Sequence, residues 1–397
     1  MKESEYRFKM HTQEAAHLKI FDVTDKEEMK AFVKDAKNMT DFYNEFSKIV
    51  VAIAGGDGTF MNVVQDMLNF KINIKNTNFV PLPFGTSNDI SRILKWGSRP
   101  SYRMRNNLIG LMDDINFSSV INFDIWNITM KVKEGGDISV PCGKSLVSTN
   151  KRIINKLMCH SFSFGLDAYI GTNFEQHRTN YRLTNKIRYT WEGIKSLFLY
   201  GKNKINKVKD ILSTFGKRKT NRIWVAGRDS EEPMLLNRRN KYEYYIGSTN
   251  KYSRANAFLR GNPVSFYCTN IPTFMGEKIN LWKGGRGRTG LETYFHDPVH
   301  PNHFTDKAYM NDNKLEFATF SSVFHLISSK SNRVAQSEGP FQLNFDENIP
   351  ADTYINIDGE FFKVSDLEAI QIKKVELNHP FNVIKRHKRG IKDKKKY

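Results

Sequence analysis

The chain of 397 residues is long enough for two domains, each with a core of its own. Hydrophobic residues make up 39%, and no apolar run reaches the length of a membrane-spanning helix. A formal net charge of +19 calls for an anionic partner: a nucleotide, an anionic membrane surface, an acidic protein partner or larger complex, or nucleic acid. No zinc-finger or RNA-binding signature accompanies the charge, so no nucleic acid is expected.

Met1-Lys2-Glu3-Ser4-Glu5 lacks the apolar segment of a secretory signal and is too acidic for a transit peptide. Residues 18–23 are predicted as a strand, and 25–38 as a helix with Met29, Phe32 and Val33 inward. Cys142, Cys159 and Cys268 are far apart and odd in number. They read as reduced, buried thiols of an intracellular protein, cytoplasmic or peripheral on a membrane, a mitochondrial location being compatible.

Residues 49–54 form a continuous apolar run suited to a strand buried on both faces. Gly55, Gly56 and Gly58 then permit a tight turn, and Thr59 is the predicted N-cap of a helix over 60–68. Strand, glycine turn and helix N-terminus together present backbone N–H groups to an anion. Asp57 inside that turn would repel bare phosphate, which points to a magnesium site or a proton acceptor. The arrangement repeats at once: a strand over 79–83, a small-residue turn Gly85-Thr86-Ser87-Asn88-Asp89, and an amphipathic helix over 90–96. Two such units place both turns at one sheet edge, where open α/β folds bind ligands.

Gly55-Gly56-Asp57-Gly58-Thr59, followed by Pro83-Phe84-Gly85-Thr86-Ser87-Asn88-Asp89-Ile90-Ser91-Arg92, resembles the catalytic domain of eukaryotic-type diacylglycerol kinases. Further matches are Phe123-Asp124-Ile125-Trp126, Phe162-Ser163-Phe164-Gly165-Leu166-Asp167-Ala168, the stretch from Asn270 to Trp282, Asp312-Asn313-Lys314-Leu315-Glu316, Arg333-Val334-Ala335-Gln336 and Ile357-Asp358-Gly359-Glu360. The resemblance runs over roughly 48–362, with gaps near 127–158 and 201–262. A family loop of the form Asn-Pro-x-Ser-Gly-Gly has no counterpart before residue 48, and no regulatory zinc module is seen.

The resemblance implies an α/β nucleotide-binding domain over 1–118 and a mainly antiparallel β-sandwich over 119–384 for the lipid substrate, with a basic tail over 385–397. It implies ATP and Mg2+ as cofactors and diacylglycerol as substrate. Gly55, Gly56, Gly58, Thr59, Gly85, Thr86, Ser87 and Asn88 would hold the nucleotide, and Asp89, Asp124 and Asp312 the metal. Asp358 would be the general base, Glu360 its electrostatic partner, and Asp57 a further catalytic acid. Asn313 stands where the family has glycine. The rival expectation is a weak or inactive kinase homologue serving as a structural subunit of a larger assembly.

The other stretches are less telling. Residues 127–150 are predicted as a hairpin with loops, and Ile187, Trp191, Ile194, Leu197 and Phe198 form a helical stripe read as core. Residues 201–262 read as an irregular excursion, while His296, His300 and His303 and the run from Gly285 to Gly290 read as surface loops.

Overall fold

The computed structural model describes residues 4–9, 15–42, 49–177, 223–226, 233–235, 242–245, 252–255, 263–271, 273–274, 279–280, 308–322, 330–338, 340–345 and 352–387, with isolated positions at 179, 192, 324–325, 328 and 349. The elements are β1 (Ser4–Lys9), β2 (Ala15–Ile20), α1 (Lys26–Phe42), β3 (Ile49–Gly55), α2 (Asp57–Asn69), β4 (Thr77–Pro83), α3 (Asp89–Ile93), α4 (Tyr102–Asn106), α5 (Leu108–Asn116) and β5 (Ser119–Asn122). They continue through β6 (Trp126–Val132), β7 (Ile138–Cys142), β8 (Ser145–Ser148), β9 (Ile153–Met158), β10 (Ser161–Gly165), α6 (Leu166–Gln176), β11 (Ile223–Ala226), β12 (Pro233–Leu235), β13 (Tyr242–Tyr245) and β14 (Tyr252–Ala255). The last are β15 (Ser265–Thr269), β16 (Thr273–Phe274), β17 (Ile279–Asn280), β18 (Lys314–Phe320), β19 (Asn332–Glu338), β20 (Phe341–Asn344), β21 (Thr353–Ile357), β22 (Glu360–Val364), β23 (Leu367–Lys374) and β24 (Asn382–Lys385). The chain divides into two compact units, Met1–Phe123 with Glu376–Tyr397, and Asp124–Val375. The expected single boundary near 118 thus becomes two crossings, because the C-terminal segment returns to the first unit.

The first unit is built on a four-stranded sheet of order β3-β4-β24-β5. β3 runs parallel to β4, β24 parallel to β4, and β5 antiparallel to β24. All seven residues of β4 are buried, as suits a central strand of a parallel sheet. β3 is different. Among the described residues the sheet ends there, and Val50, Ala52 and Ala54 face outward and are exposed, so it is not buried on both faces as expected. α2 buries Phe60, Met61, Val63, Val64 and Met67 on one stripe. Phe60 meets Phe79 of β4 edge-on, and Phe79 stacks on Phe381 with ring centroids 4.6 Å apart. Each such side chain is worth about 1.5–3 kcal/mol when fully buried. β1 and β2 pair with each other as a separate antiparallel hairpin.

β24 is tied in by more than its ladder. The Arg386 guanidinium reaches the buried carboxylate of Asp114 at 2.6 Å, and Arg103 reaches its other oxygen at 3.1 Å. Arg386 also lies over the Trp96 ring at 5.6 Å, and the Trp96 indole donates to the Ile384 carbonyl. The basic tail expected from residue 385 therefore begins inside the fold, with Lys385 ending a strand and the half-buried Arg386 paired to a buried carboxylate. Residues 388–397 lie outside the described residues.

The second unit is a sandwich of an eight-stranded sheet, order β19-β18-β15-β10-β21-β22-β7-β8, and a six-stranded sheet, order β12-β11-β20-β23-β6-β9. Among the described residues every strand pair within the two sheets is antiparallel. Alternating residues of β6 (Trp126, Ile128, Met130 and Val132) meet Phe162, Phe164, Phe266 and Phe317 of the opposite sheet in one apolar core. α6 follows β10 after Gly165, whose φ of 110° and whose approach to the Val264 carbonyl leave no room for a Cβ.

Three local expectations change. The 127–150 segment divides between sheets, β6 joining one and the β7–β8 hairpin the other. The 201–262 excursion supplies β11 and β12 to the six-stranded sheet. Cys159 and Cys268 are buried as expected, but Cys142 is exposed. The 187–198 stripe, the three histidines and the 285–290 turn lie outside the described residues.

Candidate active site

In the first unit the two glycine turns lie side by side because β3 and β4 are parallel neighbours in register, Gly55 opposite Pro83. The Gly55 carbonyl accepts the N–H groups of Phe84 and Gly85 at 3.1 and 3.0 Å. A Cβ on Gly85 would fall 2.3 Å from the Gly56 Cα, so the approach of the two turns requires glycine. α2 starts at Asp57 with Gly56 as N-cap and no side-chain cap, three residues earlier than the expected start at Phe60. Its first-turn N–H groups, at Asp57, Gly58 and Thr59, form the end of a thirteen-residue helix, where an anion is favoured.

The second turn differs from expectation. α3 is only five residues long, and its N-cap Asn88 sits in left-handed backbone at φ 56°. The Asn88 amide donates to the Gly85 and Ser98 carbonyls at 2.9 and 3.1 Å, which makes it a brace of the loop. Asp57 Oδ2 accepts the Asp89 N–H and Oδ1 the Ile90 N–H, both at 3.0 Å. The first N–H groups of α3 are thus taken by a carboxylate. Thr86 and Ser87 are exposed at the tip, and Asp89 itself is buried.

In the second unit Asp124 and Asp312 lie near each other. Asp124 Oδ2 accepts the Asn313 N–H at 2.7 Å, and Oδ1 pairs with Lys374 at 2.7 Å. Lys374 also donates to the Asn313 side-chain oxygen. Burial pushes the half-buried Asp312 carboxyl up, and the Asp124 charge adds to this. Asn313 has φ 63°, which explains why asparagine can replace glycine here: its short polar side chain tolerates left-handed backbone. Asp89 belongs to the other unit. Among the described residues no group of three His, Cys, Asp or Glu is placed to hold a metal ion. Magnesium is satisfied by one or two carboxylates plus waters and nucleotide phosphates, so this donor set fits a metal that comes with its nucleotide, not a protein cage.

Asp358 and Gly359 form the two-residue turn between β21 and β22, with φ 48° and 89°. Asp-Gly is a preferred sequence for such a hairpin. The Asp358 carboxylate is buried at the tip, where Oδ2 accepts Cys159 N–H at 2.7 Å and Oδ1 accepts His160 and Ser161 N–H at 3.0 and 2.7 Å. Burial pushes its pKa up to about 6, against the lowering pull of His160 and the three N–H bonds. Glu360 pairs with Lys156 at 2.6 Å, a partner the sequence did not suggest.

Two further features escaped sequence reasoning. Asp167, quoted only as part of a motif, is buried beneath the eight-stranded sheet and accepts the Ser163 hydroxyl at 2.5 Å, and its carboxyl is pushed up by burial. Asn270, directly after β15, is fully buried, and its amide bonds to Trp126, Asp124 and Cys159. An amide residue between a buried strand and the sequence Ile271-Pro272 was the available signal.

Family models match both units: the diacylglycerol kinase catalytic domain over residues 2–120 and the diacylglycerol kinase accessory domain over 157–361. The chain belongs to the diacylglycerol kinase family. The catalytic match begins well before residue 48, so β1, β2 and α1 fall within it although their sequence holds no Asn-Pro-x-Ser-Gly-Gly loop. A probable diacylglycerol kinase 3 of Caenorhabditis elegans is 31% identical over 145 residues, covering 35% of this chain and 17% of its own. The eye-specific diacylglycerol kinase of Drosophila melanogaster is 31% identical over 170 residues, covering 40% of this chain and 11% of its own. The match thus spans less than a fifth of either relative. A solved diacylglycerol kinase from Bacillus anthracis overlays 91% of this chain and 82% of its own at 10% identity with a TM-score of 0.38, too loose to add to the strand order itself. No helix among the described residues is long and apolar enough to cross a membrane.

Proposed function

We propose that the chain transfers the γ-phosphate of ATP to the free hydroxyl of 1,2-diacylglycerol, giving phosphatidic acid and ADP. The observation that carries this reading is the α2 N-terminus, uncapped by any side chain and set behind two glycine turns that touch at Gly56 and Gly85. Gly55, Gly56, Gly58 and Thr59 hold phosphate oxygens by backbone N–H groups, and the turn from Gly85 to Asn88 closes the cradle from its side. Magnesium, when bound with the nucleotide, offsets the charge on its phosphates. Asp89 is the acid of the first unit that the resemblance assigns to the metal, and Asp124 and Asp312 are those of the second.

Asp358 takes the proton of the attacking hydroxyl. A carboxylate has about four acceptor sites, so three N–H bonds leave about one, on Oδ2. A pKa near 6 suits a base working close to neutrality. Glu360, held by Lys156, keeps a second negative charge beside the turn. Asp57 acts as a brace between the two turns, not as an acid at the reacting atoms. The net charge of +19 favours docking on an anionic membrane surface, from which a diacylglycerol would be drawn.

A second reading has an observation of its own. Asp57 has both oxygens on backbone N–H groups, and Asp124 is closed off by Lys374 and Asn313. Such acids suit a kinase homologue kept as a structural subunit of a larger assembly. Calorimetry with magnesium-ATP separates the two. Saturable binding is expected. A well-folded chain that takes up no heat at millimolar nucleotide would favour the structural subunit.

A further inference from the structure

The motif at Asn270 has no part in the scheme above, yet its side chain sits between Asp124 and the segment that cradles Asp358. Asn270 Oδ1 accepts the Trp126 indole N–H at 3.0 Å. Its Nδ2 donates to the Asp124 carbonyl at 3.0 Å and to the Cys159 carbonyl at 2.9 Å. An indole can only donate and a carbonyl only accept, so the orientation of the amide is fixed by its partners. The Asn270 backbone N–H adds a bond to the His160 carbonyl at 3.0 Å. One buried residue thus holds the carbonyls of Cys159 and His160, while the N–H groups of Cys159, His160 and Ser161 converge on the Asp358 carboxylate. The same amide grips the backbone of Asp124, whose carboxylate holds the Asn313 turn.

We propose that Asn270 is a positioning residue: it locks the 159–161 peptide segment in the orientation that cradles Asp358 and fixes that cradle relative to Asp124. This rests on the reading of Asp358 as the proton acceptor. The segment between β9 and β10 is short and its residues are buried, but backbone alone does not direct three successive N–H groups at one carboxylate. The carbonyl side must be anchored for the N–H side to converge, and Asn270 supplies both anchors by its amide and its own N–H. Trp126 supplies the third restraint by preventing rotation of the amide. Among the described residues, the titratable groups that face Asp358 are His160 on the segment itself and Glu360 on the following strand, the latter paired with Lys156.

The test uses Asn270→Leu, which keeps the branched shape and adds no charge, and Trp126→Phe, which removes only the donor to the amide. Phe341→Leu, which thins the packing around the Trp126 ring but leaves every hydrogen-bonding group of the amide in place, serves as the packing control. Two readouts are taken on the full chain: the 13C carboxyl titration of Asp358, assigned by its loss in Asp358→Asn, and kcat and KM for phosphoryl transfer to diacylglycerol. The expected result is an upward shift of the Asp358 titration by about half a unit or more in Asn270→Leu, and a smaller one in Trp126→Phe, since weakened N–H bonds stabilise the carboxylate less. kcat falls about tenfold or more in Asn270→Leu with KM for ATP within about twofold, as for a group acting on the transition state alone. Phe341→Leu leaves the titration where it is. If Asn270→Leu does not fold, Trp126→Phe decides by the same two readouts. An unshifted titration in both folded variants, or an equal shift in Phe341→Leu, overturns the proposal. A wild-type chain without kinase activity overturns the kinase reading instead, and the carboxyl titration still reports on Asn270.

Discussion

Asp57 and Asp89 are joined by a bond between two turns: the Asp57 carboxylate accepts the Asp89 N–H at 3.0 Å and, by its other oxygen, the Ile90 N–H. A carboxylate carried by the first glycine turn is therefore the cap of the helix that follows the second. It fixes the two halves of the cradle to one another and neutralises the α3 N-terminus at the same time.

That bond reverses what a turn carboxylate would suggest, namely a residue of little consequence for stability. Asp57→Ala should lower unfolding free energy by about 1–2 kcal/mol, the usual cost of losing an N-cap. Asp57→Asn, which keeps an acceptor oxygen, should lose less. Urea unfolding of the two variants beside the wild type checks the order, and an Asp57→Ala chain as stable as the wild type would show that the cap does not matter.

Gly85 and Gly56 give a second prediction. Alanine at Gly85 must push its Cβ against the Gly56 backbone at 2.3 Å, whereas alanine at Gly56 meets the Gly85 Cα at 3.4 Å. Gly85→Ala should cost about 1–3 kcal/mol, as overpacking does, and Gly56→Ala clearly less. Unfolding curves give the costs, and calorimetry should show weaker magnesium-ATP binding in Gly85→Ala because the cradle is forced open.

Asp358 sets a pH dependence whose sign can be worked out. Its pKa rises from an ordinary 3.8 to about 6 on folding, chiefly through burial, so the native state holds the proton more tightly than the unfolded one. The stabilisation is complete below pH 3.8 and is lost as pH rises through 6, by about 3 kcal/mol in all. Asp358→Asn, which cannot titrate, should flatten this part of the stability profile. In the reaction the ionised form is needed, so kcat should rise with pH through an apparent pKa near 6. Thermal melts and rates between pH 4 and pH 8, in about half-unit steps, test both limbs.

The C-terminal segment separates two functions that the charge pattern runs together. A deletion from residue 385 removes Arg386, one of the two arginine partners of the buried Asp114 carboxylate, at 2.6 Å, and cuts β24 short, and should destabilise the first unit by about 2 kcal/mol or more. A deletion of 388–397 spares that pair and should leave the melting temperature unchanged. Both should weaken binding to anionic vesicles, at up to ~1 kcal/mol for each Lys or Arg near the surface, most visibly at low salt.

Local pattern made much of this fold legible. The apolar run before Gly55, the glycine turns, and the alternation through Phe162 and Phe164 each follow from residues a few positions apart. What local pattern could not reveal is pairing between distant segments. β24 joins β4 across some three hundred residues of sequence, and nothing in Asn382-Val383-Ile384-Lys385 distinguishes a central strand from the start of a basic tail. The same holds in the candidate site. Asp57 was legible as a residue of the turn, but its bonds to Asp89 and Ile90 depend on the register of β3 with β4. Asp358 was legible as a hairpin Asp-Gly, while its three N–H partners come from a segment two hundred residues earlier. Lys374 on Asp124 and Lys156 on Glu360 are long-range partners of the same kind.

The most direct measurement is transfer of labelled γ-phosphate from magnesium-ATP to 1,2-diacylglycerol in mixed micelles, run in parallel with sphingosine and with the Asp358→Asn chain. Labelled phosphatidic acid is expected from the wild type, far less from Asp358→Asn, and little product from sphingosine. Labelled product from sphingosine alone would contradict the substrate, and no lipid product at all from a folded chain that binds magnesium-ATP would contradict the kinase itself.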